Sequence, residues 1–288
     1  MDNIPIGAQV GGYVIGRRLA EGGMGSVYEG IRAATQDRVA VKVLMYRQDE
    51  RDRQRFEREI ATLLALHHPH IIPIYDYGEE GGLVYFAMPL IEGASLGDLL
   101  EARRFTPLAV WSILQPVTEA LDYAHQNHVI HRDIKPSNIL VQTRPGGEAQ
   151  NVYLVDFGLS KLVGAQSLTR TGIVIGTPHY ISPEQVLDQP FTPQTDVYAL
   201  SVVSYQMLTG RLPFDGSSPE EIAFKHVEEE PTPPGQWRAD FPPSLEAVIM
   251  RGMAKNPEYR FATAGDMCAA FAEAMRIAGR EACSVNYW

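Results

Sequence analysis

The sequence predicts an α+β protein of two lobes, in which a small antiparallel sheet with one main helix precedes a larger, mainly helical lobe. Its 288 residues suffice for about two domains or one large bilobed unit. Short runs rich in β-branched and aromatic residues occupy the first third of the chain, and helical periodicity dominates the rest. These patterns indicate that the two lobes differ in architecture.

The first lobe is predicted over residues 12–92, after an N-terminal lead at residues 1–11. The runs YVIGRRL, SVYEGI and RVAVKVL alternate with glycine-rich or polar turns, which is typical of an antiparallel meander. Apolar residues at three- and four-residue spacing predict an amphipathic helix over residues 49–66. Two strand-like runs, IIPIYDY and LVYFAMPL, follow this helix, and we place the hinge between the lobes at Glu92.

The second lobe is predicted over residues 93–277, followed by a tail at residues 278–288. The segment PGGE and the long stretch over residues 159–181 are predicted loops, and a loop of that second length inside a compact domain is usually functional. Four segments have helical periodicity: 107–126, 195–208, 244–255 and 264–277.

Composition and charge exclude several classes of protein. Hydrophobic residues make up 45% and charged residues 21% of the chain, which argues against a disordered or fibrous protein. A net charge of -10 repels a phosphate backbone, so we expect no nucleic-acid partner. The two cysteines, Cys268 and Cys283, have no disulfide or zinc spacing, which favours the reducing cytoplasm. No leader or uninterrupted apolar run is found, so we expect no membrane contact by this chain itself.

A glycine cluster lies between the first two strand runs, in LAEGGMGSVYEG. Gly22, Gly23 and Gly25 would let backbone N–H groups approach phosphate oxygens closely. For an isolated cluster of this kind, an ordinary flexible hairpin turn is the better explanation. The cluster therefore indicates a phosphate-binding loop only in combination with other motifs.

Lys42 ends the apolar run VAVK, where a buried ammonium group needs an anionic partner. Glu59, in the predicted amphipathic helix, is the natural candidate. Such a pair would aim the ammonium group at the α- and β-phosphates of a nucleotide. The alternative is a lysine whose stem lies on the sheet and a solvated Glu59.

The sequence from His131 to Asn138 is HRDIKPSN, and LVDFG follows and ends at Gly158. With the glycine-rich loop, VAVK and the segment ISPEQ, these motifs closely resemble the bacterial serine/threonine members of the eukaryotic-like (Hanks-type) protein kinase family. The resemblance covers about residues 12–277. It implies the bilobed protein-kinase fold, with a nucleotide-binding first lobe and a second lobe that carries the catalytic loop, the activation loop and the substrate platform.

The resemblance also implies the roles of the residues in these motifs. Asp133 would orient the attacking hydroxyl and accept its proton, and Lys135 would neutralise charge on the transferred γ-phosphoryl group. Asn138 and Asp156 would supply hard oxygen ligands for Mg²⁺, with Mn²⁺ as a substitute. Lysine at position 135 favours serine and threonine as acceptors. His131 and Phe157 are expected to be structural.

The ATP pocket is carried over from the same resemblance. Val27 and Ala40 would lie above the adenine ring, Leu140 below it, and Met88 at the gatekeeper position. The sequence departs from the family at Pro89, where an acidic residue is common, and at Ala20, where the first loop glycine usually stands. The residues implied in ATP binding are Leu19, Gly22, Gly25, Val27, Ala40, Lys42, Met88, Pro89, Ile91 and Leu140.

Regulation by phosphorylation is implied by the loop before the ISPEQ segment. The guanidinium of Arg132, directly before Asp133, calls for an anionic partner. Thr169 and Thr171, in the order Thr-Arg-Thr, resemble the doubly phosphorylated segment of bacterial relatives, and Ser167 is a further candidate. We expect autophosphorylation between two molecules in a transient homodimer. The alternative is a polar loop that is never modified.

Other polar residues match structural positions of the family. His67, His68 and His70 match a family turn rather than a zinc site, because they lack the usual metal-ligand spacing. Asp196 and Arg260 match buried anchors of the second lobe, and Arg260 is expected to pair with Glu184.

Three functions are compatible with a kinase-like chain: an active protein kinase, an ATP-binding scaffold without catalysis, and a small-molecule phosphotransferase. The active enzyme is favoured, because none of Lys42, Asp133, Asn138 and Asp156 is missing. The segment GTPHYISPE resembles a docking platform for a protein substrate. We therefore expect ATP and protein substrates with Ser or Thr acceptors as partners. The expected location is the cytoplasm, and relatives often carry a membrane-anchored sensor after this domain.

Overall fold

The computed structural model describes residues 4–22, 25–45, 53–102, 105–144, 149–157 and 178–285. The residues in these ranges divide into two compact units, one up to Glu92 and the other from Gly93 onward. The first unit is built around a sheet and the second mainly from helices.

The first unit contains an antiparallel sheet with the strand order β1-β2-β3-β4-β6-β5. Its strands are β1 Gln9–Val10, β2 Tyr13–Gly22, β3 Gly25–Arg32, β4 Arg38–Met45, β5 Asp76–Glu80 and β6 Leu83–Pro89. The predicted meander is confirmed, since β2, β3 and β4 coincide with its three runs. One face of the sheet carries a buried cluster that includes Tyr13, Val41 and Tyr85. That cluster forms the apolar core on this face of the sheet.

The remaining predictions for the first unit concern one helix and one strand. Helix α1 Arg53–Leu64 lies within the predicted helix, and residues 46–52 lie outside the described ranges. The strand predicted for IIPIYDY was wrong over residues 71–75, because β5 begins only at Asp76. Pro73 has no N–H for a strand ladder, and the apolar Ile71 and Ile72 are buried within a connection instead.

The second unit opens with a three-stranded antiparallel sheet of order β7-β8-β9, formed by β7 Ala94–Ser95, β8 Ile139–Thr143 and β9 Ala149–Leu154. Its helices are α2 Leu96–Ala102, α3 Pro107–Gln126, α4 Pro183–Val186, α5 Pro193–Thr209, α6 Pro219–Glu228, α7 Pro234–Trp237, α8 Pro243–Gly252 and α9 Ala264–Val285. The four helical segments predicted from periodicity correspond to α3, α5, α8 and α9. The short helices and α6 had no periodicity strong enough to predict them.

Helix α5 is buried along most of its length and contacts α3, α8 and α9. Its serines are accommodated because Ser201 and Ser204 donate to the carbonyl oxygens of Val197 and Leu200, both at 2.7 Å. The helix ends at Gly210, which adopts a left-handed conformation with φ of 70°. Among the described helices, none combines the length and the apolarity required to cross a bilayer.

Candidate active site

A row of predicted ATP-binding residues lies on one face of the first sheet. Val27 on β3 is paired with Lys42 on β4, and Ala40 on β4 is paired with Met88 on β6. Cross-strand partners point to the same side, and so do residues two apart on a strand, so these four side chains share one face. The buried cluster with Tyr13 occupies the opposite face. Lys42 is only 8% exposed, which places a cationic side chain in a nearly dry position.

The glycine-rich turn connects β2 with β3 through the pair Gly22 and Gly25. A Cβ atom on Gly25 would overlap the carbonyl oxygen of Val43, so the backbones of β3 and β4 approach too closely for any other residue. Gly22 is exposed, and a Cβ atom on it would make an ordinary van der Waals contact, at 3.7 Å from the carbonyl oxygen of Gly25. Gly23 lies outside the described ranges.

The other residues expected in nucleotide binding are distributed over both units. Leu19, Pro89 and Ile91 are half-buried in the first unit, and Glu59 is half-buried on α1. Leu140 is half-buried on β8 of the second unit, where it pairs with Ser95.

Three residues of the HRDIKPSN segment converge within the second unit. The Lys135 ammonium donates to Oδ2 of Asp133 at 2.7 Å. The Asn138 amide nitrogen donates to the carbonyl oxygen of Asp133 at 2.7 Å and to its Oδ2 at 3.1 Å. Both side-chain donors therefore use the same carboxylate oxygen, which leaves Oδ1 as the oxygen that can face an acceptor hydroxyl.

His131 connects this segment to the end of β9. Its Nε2 lies 2.9 Å from the carbonyl oxygen of Val155, which can only accept, so Nε2 carries the proton. Nδ1 is then the acceptor for the N–H of Asp133 at 3.3 Å. The imidazole ring packs against Phe157 with a centroid distance of 4.5 Å. These contacts support the structural role that we predicted for His131 and Phe157.

Asp156 directly follows Val155, a residue whose backbone lies next to that of Asn138. The N–H of Val155 donates to the carbonyl oxygen of Asn138 at 3.0 Å. Asp156 itself has a left-handed backbone with φ of 66°. The residue predicted to bind a metal ion therefore directly follows a residue that is hydrogen-bonded to Asn138.

A fully buried carboxylate anchors the backbone before Asp133. Asp196 accepts from the N–H of His131 and from the N–H of Arg132, both at 2.8 Å, and from Nε2 of His125 at 2.8 Å. Burial alone would raise the pKa of Asp196, but the hydrogen bond and charge of His125 hold it below its usual value. The sequence analysis did not identify His125. Its only signal was a lone histidine among apolar residues of α3, 71 positions from its partner.

Arg132 adopts a left-handed conformation with φ of 67°, which is unfavourable for a residue with a Cβ atom. Its guanidinium carbon lies 4.9 Å from the ring centroid of Phe191. Its carbonyl oxygen accepts from the side-chain amide of Gln185 on α4 at 2.8 Å. Gln185 was missed as a site residue, because it lies 53 positions away from Arg132.

Comparison with known proteins identifies the family of this chain. The family model described as "Protein kinase domain" matches residues 13–271. The chain belongs to the protein kinase family. Serine/threonine-protein kinase PrkC of Bacillus subtilis is 38% identical over 266 residues, which cover 91% of this chain and 40% of PrkC. Serine/threonine-protein kinase PknD of Mycobacterium tuberculosis is 39% identical over 279 residues, which cover 95% of this chain and 41% of PknD. These relatives place it among the Hanks-type kinases of bacteria.

Solved structures agree with this assignment. The kinase domain of PknI from Mycobacterium tuberculosis superposes with a TM-score of 0.75 at 27% identity, covering 94% of this chain and 100% of that domain. The predicted protein-kinase fold is therefore confirmed. The chain spans about two fifths of the length of the curated relatives named above.

The buried ion pair predicted for this kinase is also confirmed. Arg260 donates to both carboxylate oxygens of Glu184, at 2.7 and 2.9 Å, and both side chains are at most 2% exposed. Burial would raise the pKa of Glu184, but the hydrogen bonds from Arg260 hold it below its usual value. The pair joins α4 to the segment before α9.

Protein kinases use ATP and a divalent metal ion, and the residues present fit such an ion. The two hydrogen bonds of the Asn138 amide use its nitrogen, so its oxygen is available as a hard ligand. Asp156, which directly follows the residue bonded to Asn138, carries a carboxylate. Across the described ranges, no group of three or more His, Cys, Asp or Glu side chains could hold a metal ion by itself. Phosphate oxygens and water would complete the coordination.

The predicted regulatory residues Thr169 and Thr171 lie outside the described residues, as do Ser167 and Gly158.

Proposed function

We propose that this chain is a catalytically active serine/threonine protein kinase, which transfers the γ-phosphoryl group of ATP to Ser and Thr hydroxyls of proteins. The observation that carries this proposal is the convergence of Lys135 and Asn138 on one carboxylate oxygen of Asp133. This arrangement leaves the second oxygen to orient a hydroxyl group and holds a cation beside it.

Asp133 acts on the acceptor. Its Oδ1 accepts the hydroxyl hydrogen and directs the oxygen toward the γ-phosphorus. It takes up the proton as the new bond to phosphorus forms and the bond between the γ-phosphorus and the bridging oxygen breaks, with ADP as the leaving group. Lys135 stabilises the negative charge on the transferred group, because its ammonium lies at 2.7 Å from the carboxylate that holds the acceptor. Asn138 keeps the carboxylate in one orientation through its bond to Oδ2.

Nucleotide binding is assigned to the face of the first sheet that carries Val27, Ala40 and Lys42. Lys42, with Glu59 as its partner on α1, would bind the α- and β-phosphates, and Val27 and Ala40 would contact the adenine ring. Asn138 and Asp156 would hold Mg²⁺, or Mn²⁺ in its place. The ion neutralises charge on the phosphates when it is bound.

The acceptor class and the cellular setting rest on sequence evidence. The relatives PrkC and PknD are named serine/threonine-protein kinases, and Lys135 stands at the position that favours these acceptors. The protein substrates of the whole protein are part of the proposal, because the chain spans only part of its relatives. We also propose a cytoplasmic location, which the absence of paired cysteine spacing and the need for ATP both support.

Autophosphorylation at Thr169 and Thr171 would regulate the enzyme. A phosphate there adds about −1.5 to −2 charges and would attract the guanidinium of Arg132 next to the catalytic Asp133. The reaction would take place between two molecules in a transient homodimer. A Thr169→Ala/Thr171→Ala double variant should lose the increase in activity that preincubation with Mg²⁺ and ATP produces in the wild type.

The proposed function is tested with the purified chain, ATP, Mg²⁺ and casein as a generic acceptor, followed by phosphoamino-acid analysis. The expected products are phosphoserine and phosphothreonine, and an Asp133→Asn preparation made in parallel controls for contaminating kinases. Mainly phosphotyrosine would contradict the acceptor class. ATP binding without phosphate transfer would indicate the scaffold function instead.

A further inference from the structure

We propose that Gln185 on α4 is a positioning residue for phosphoryl transfer, which acts by holding the peptide bond between Arg132 and Asp133. The expected effect on catalysis rests on the proposed kinase function, whereas the restraint on the peptide bond rests on backbone geometry alone. Gln185 Nε2 donates to the carbonyl oxygen of Arg132 at 2.8 Å, in a partly buried position. That oxygen belongs to the peptide unit that leads directly into the catalytic carboxylate.

The peptide unit between Arg132 and Asp133 is held on both sides. Gln185 binds its carbonyl oxygen, and Nδ1 of His131 accepts its N–H at 3.3 Å. The preceding N–H, of Arg132, is bound by Asp196 at 2.8 Å. A residue with φ of 67° needs such restraints, because the left-handed conformation is unfavourable for a side chain with a Cβ atom.

Only a side-chain amide can make the contacts that Gln185 makes. Its nitrogen donates to a carbonyl oxygen, while its oxygen accepts from the N–H of Ser182 at 3.0 Å and from the Ser182 hydroxyl at 3.1 Å. A carboxylate of the same length could accept from Ser182 but would repel the Arg132 carbonyl oxygen. The amide orientation follows from these partners, since the reverse orientation would place the amide nitrogen against the Ser182 N–H and the amide oxygen against the Arg132 carbonyl oxygen.

The bonds to Ser182 suggest a simpler role, which must be separated from the proposed one. Ser182 and Gln185 form a capping box at the start of α4, and this box alone would explain a glutamine at position 185. Glutamate is equally suited to a capping box. Gln185→Glu therefore retains the cap and removes the bond to Arg132, whereas Gln185→Met removes both without adding charge.

The experiment compares wild type, Gln185→Glu and Gln185→Met. The matched control is Gln194→Glu, which replaces an amide that donates to another backbone carbonyl, that of Ala262 at 3.4 Å. Two readouts are taken on each protein. The first is kcat and the KM for ATP with casein as acceptor, and the second is residue-resolved hydrogen exchange at the Asp133 amide.

Both Gln185 variants should lower kcat by about three- to tenfold, because the carboxylate is less well aligned, with the KM for ATP changed less than about twofold. Exchange of the Asp133 amide should accelerate by a similar factor in both, and the Gln194→Glu control should match the wild type. Normal exchange and kcat in Gln185→Glu would overturn the proposal and leave only the cap. An effect in Gln185→Glu but not in Gln185→Met would overturn it too, since added charge would then be the cause.

The two readouts keep this proposal distinct from the kinase assignment. If the wild type does not transfer phosphate, the proposed function fails, but the exchange rate at Asp133 still decides whether Gln185 holds the peptide. If the wild type is active and exchange at Asp133 is the same in all four proteins, the positioning role fails and the kinase assignment stands.

Discussion

Breaking the buried pair of Arg260 and Glu184 should destabilise the second unit strongly. We consider Arg260→Met, Glu184→Gln and the double variant. Methionine has no hydrogen-bond donor, and glutamine retains the shape of glutamate without its charge. The guanidinium donates to both oxygens of Glu184 and to the carbonyl oxygens of Ala254, Gln194 and Lys255, at 2.7 to 3.0 Å. All these bonds would be lost together in Arg260→Met.

The magnitude follows from what remains after the substitution. Arg260→Met leaves the Glu184 carboxylate, 2% exposed, without its cation, and removing one partner of such a pair costs about 3–5 kcal/mol. The double variant removes both charges, so it should be less destabilised than the sum of the single variants. We expect a coupling free energy of about 2 kcal/mol. The melting temperature of Arg260→Met should fall by roughly 6–20 °C.

The assay is urea unfolding at pH 7 followed by tryptophan fluorescence. Trp111 and Trp237 lie in the second unit, so their emission reports on the part of the chain that holds the pair. Arg276→Met is the matched control, because Arg276 forms an exposed pair with Glu273 one turn earlier on α9. The control should leave the unfolding midpoint unchanged.

The reasoning fails if Arg260→Met loses less than about 1 kcal/mol of unfolding free energy, or if the cycle gives a coupling below about 0.5 kcal/mol. Either result would mean that water or nearby groups compensate the carboxylate, so that the pair is not a buried anchor.

Three further predictions concern catalysis, metal use and pH. Asp133→Asn should lower kcat by about 10² to 10⁴-fold in a turnover assay, while its affinity for ATP, measured by calorimetry, is retained. The control Asp240→Asn, at an exposed position, should behave as wild type. Asp156→Asn should raise the Mg²⁺ concentration required for half-maximal activity by at least about tenfold in a metal titration, since an amide is a weaker ligand than a carboxylate; an unchanged requirement would remove Asp156 from the metal site. Burial, with the charge of Lys255, lowers the pKa of His226 to about 3. The unfolded chain therefore binds a proton below pH 6.5 that the native state does not. The wild type should then lose about 1.4 kcal/mol of stability per pH unit from pH 6.5 toward 3, and His226→Gln should remove this part of the slope in acid unfolding curves.

Much of the candidate site could be predicted because its residues are close together in sequence. Asp133, Lys135 and Asn138 span six positions, so one short loop brings them close together. The meander could be predicted as well, since neighbouring strands joined by short turns pair with each other. The strand predicted over residues 71–75 was wrong because apolar residues are buried in connections as well as in strands.

The partners that hold the site in place could not be predicted. His125 lies 71 positions from Asp196, and Gln185 lies 53 positions from Arg132. Neither residue has a local pattern that identifies its partner, because a buried histidine or a capping glutamine is common in any helix. Such pairs depend on how α3, α4 and α5 pack.

The sequence by itself determined the kinase family, the composition of the catalytic loop and most long helices, because each depends on residues that are near neighbours along the chain. Only the tertiary structure decided how Arg132 is kept in a left-handed conformation and where the charge of Arg260 is compensated. Those features arise from hydrogen bonds between distant segments, and their geometry exists only once the helices of the second unit have packed around α5.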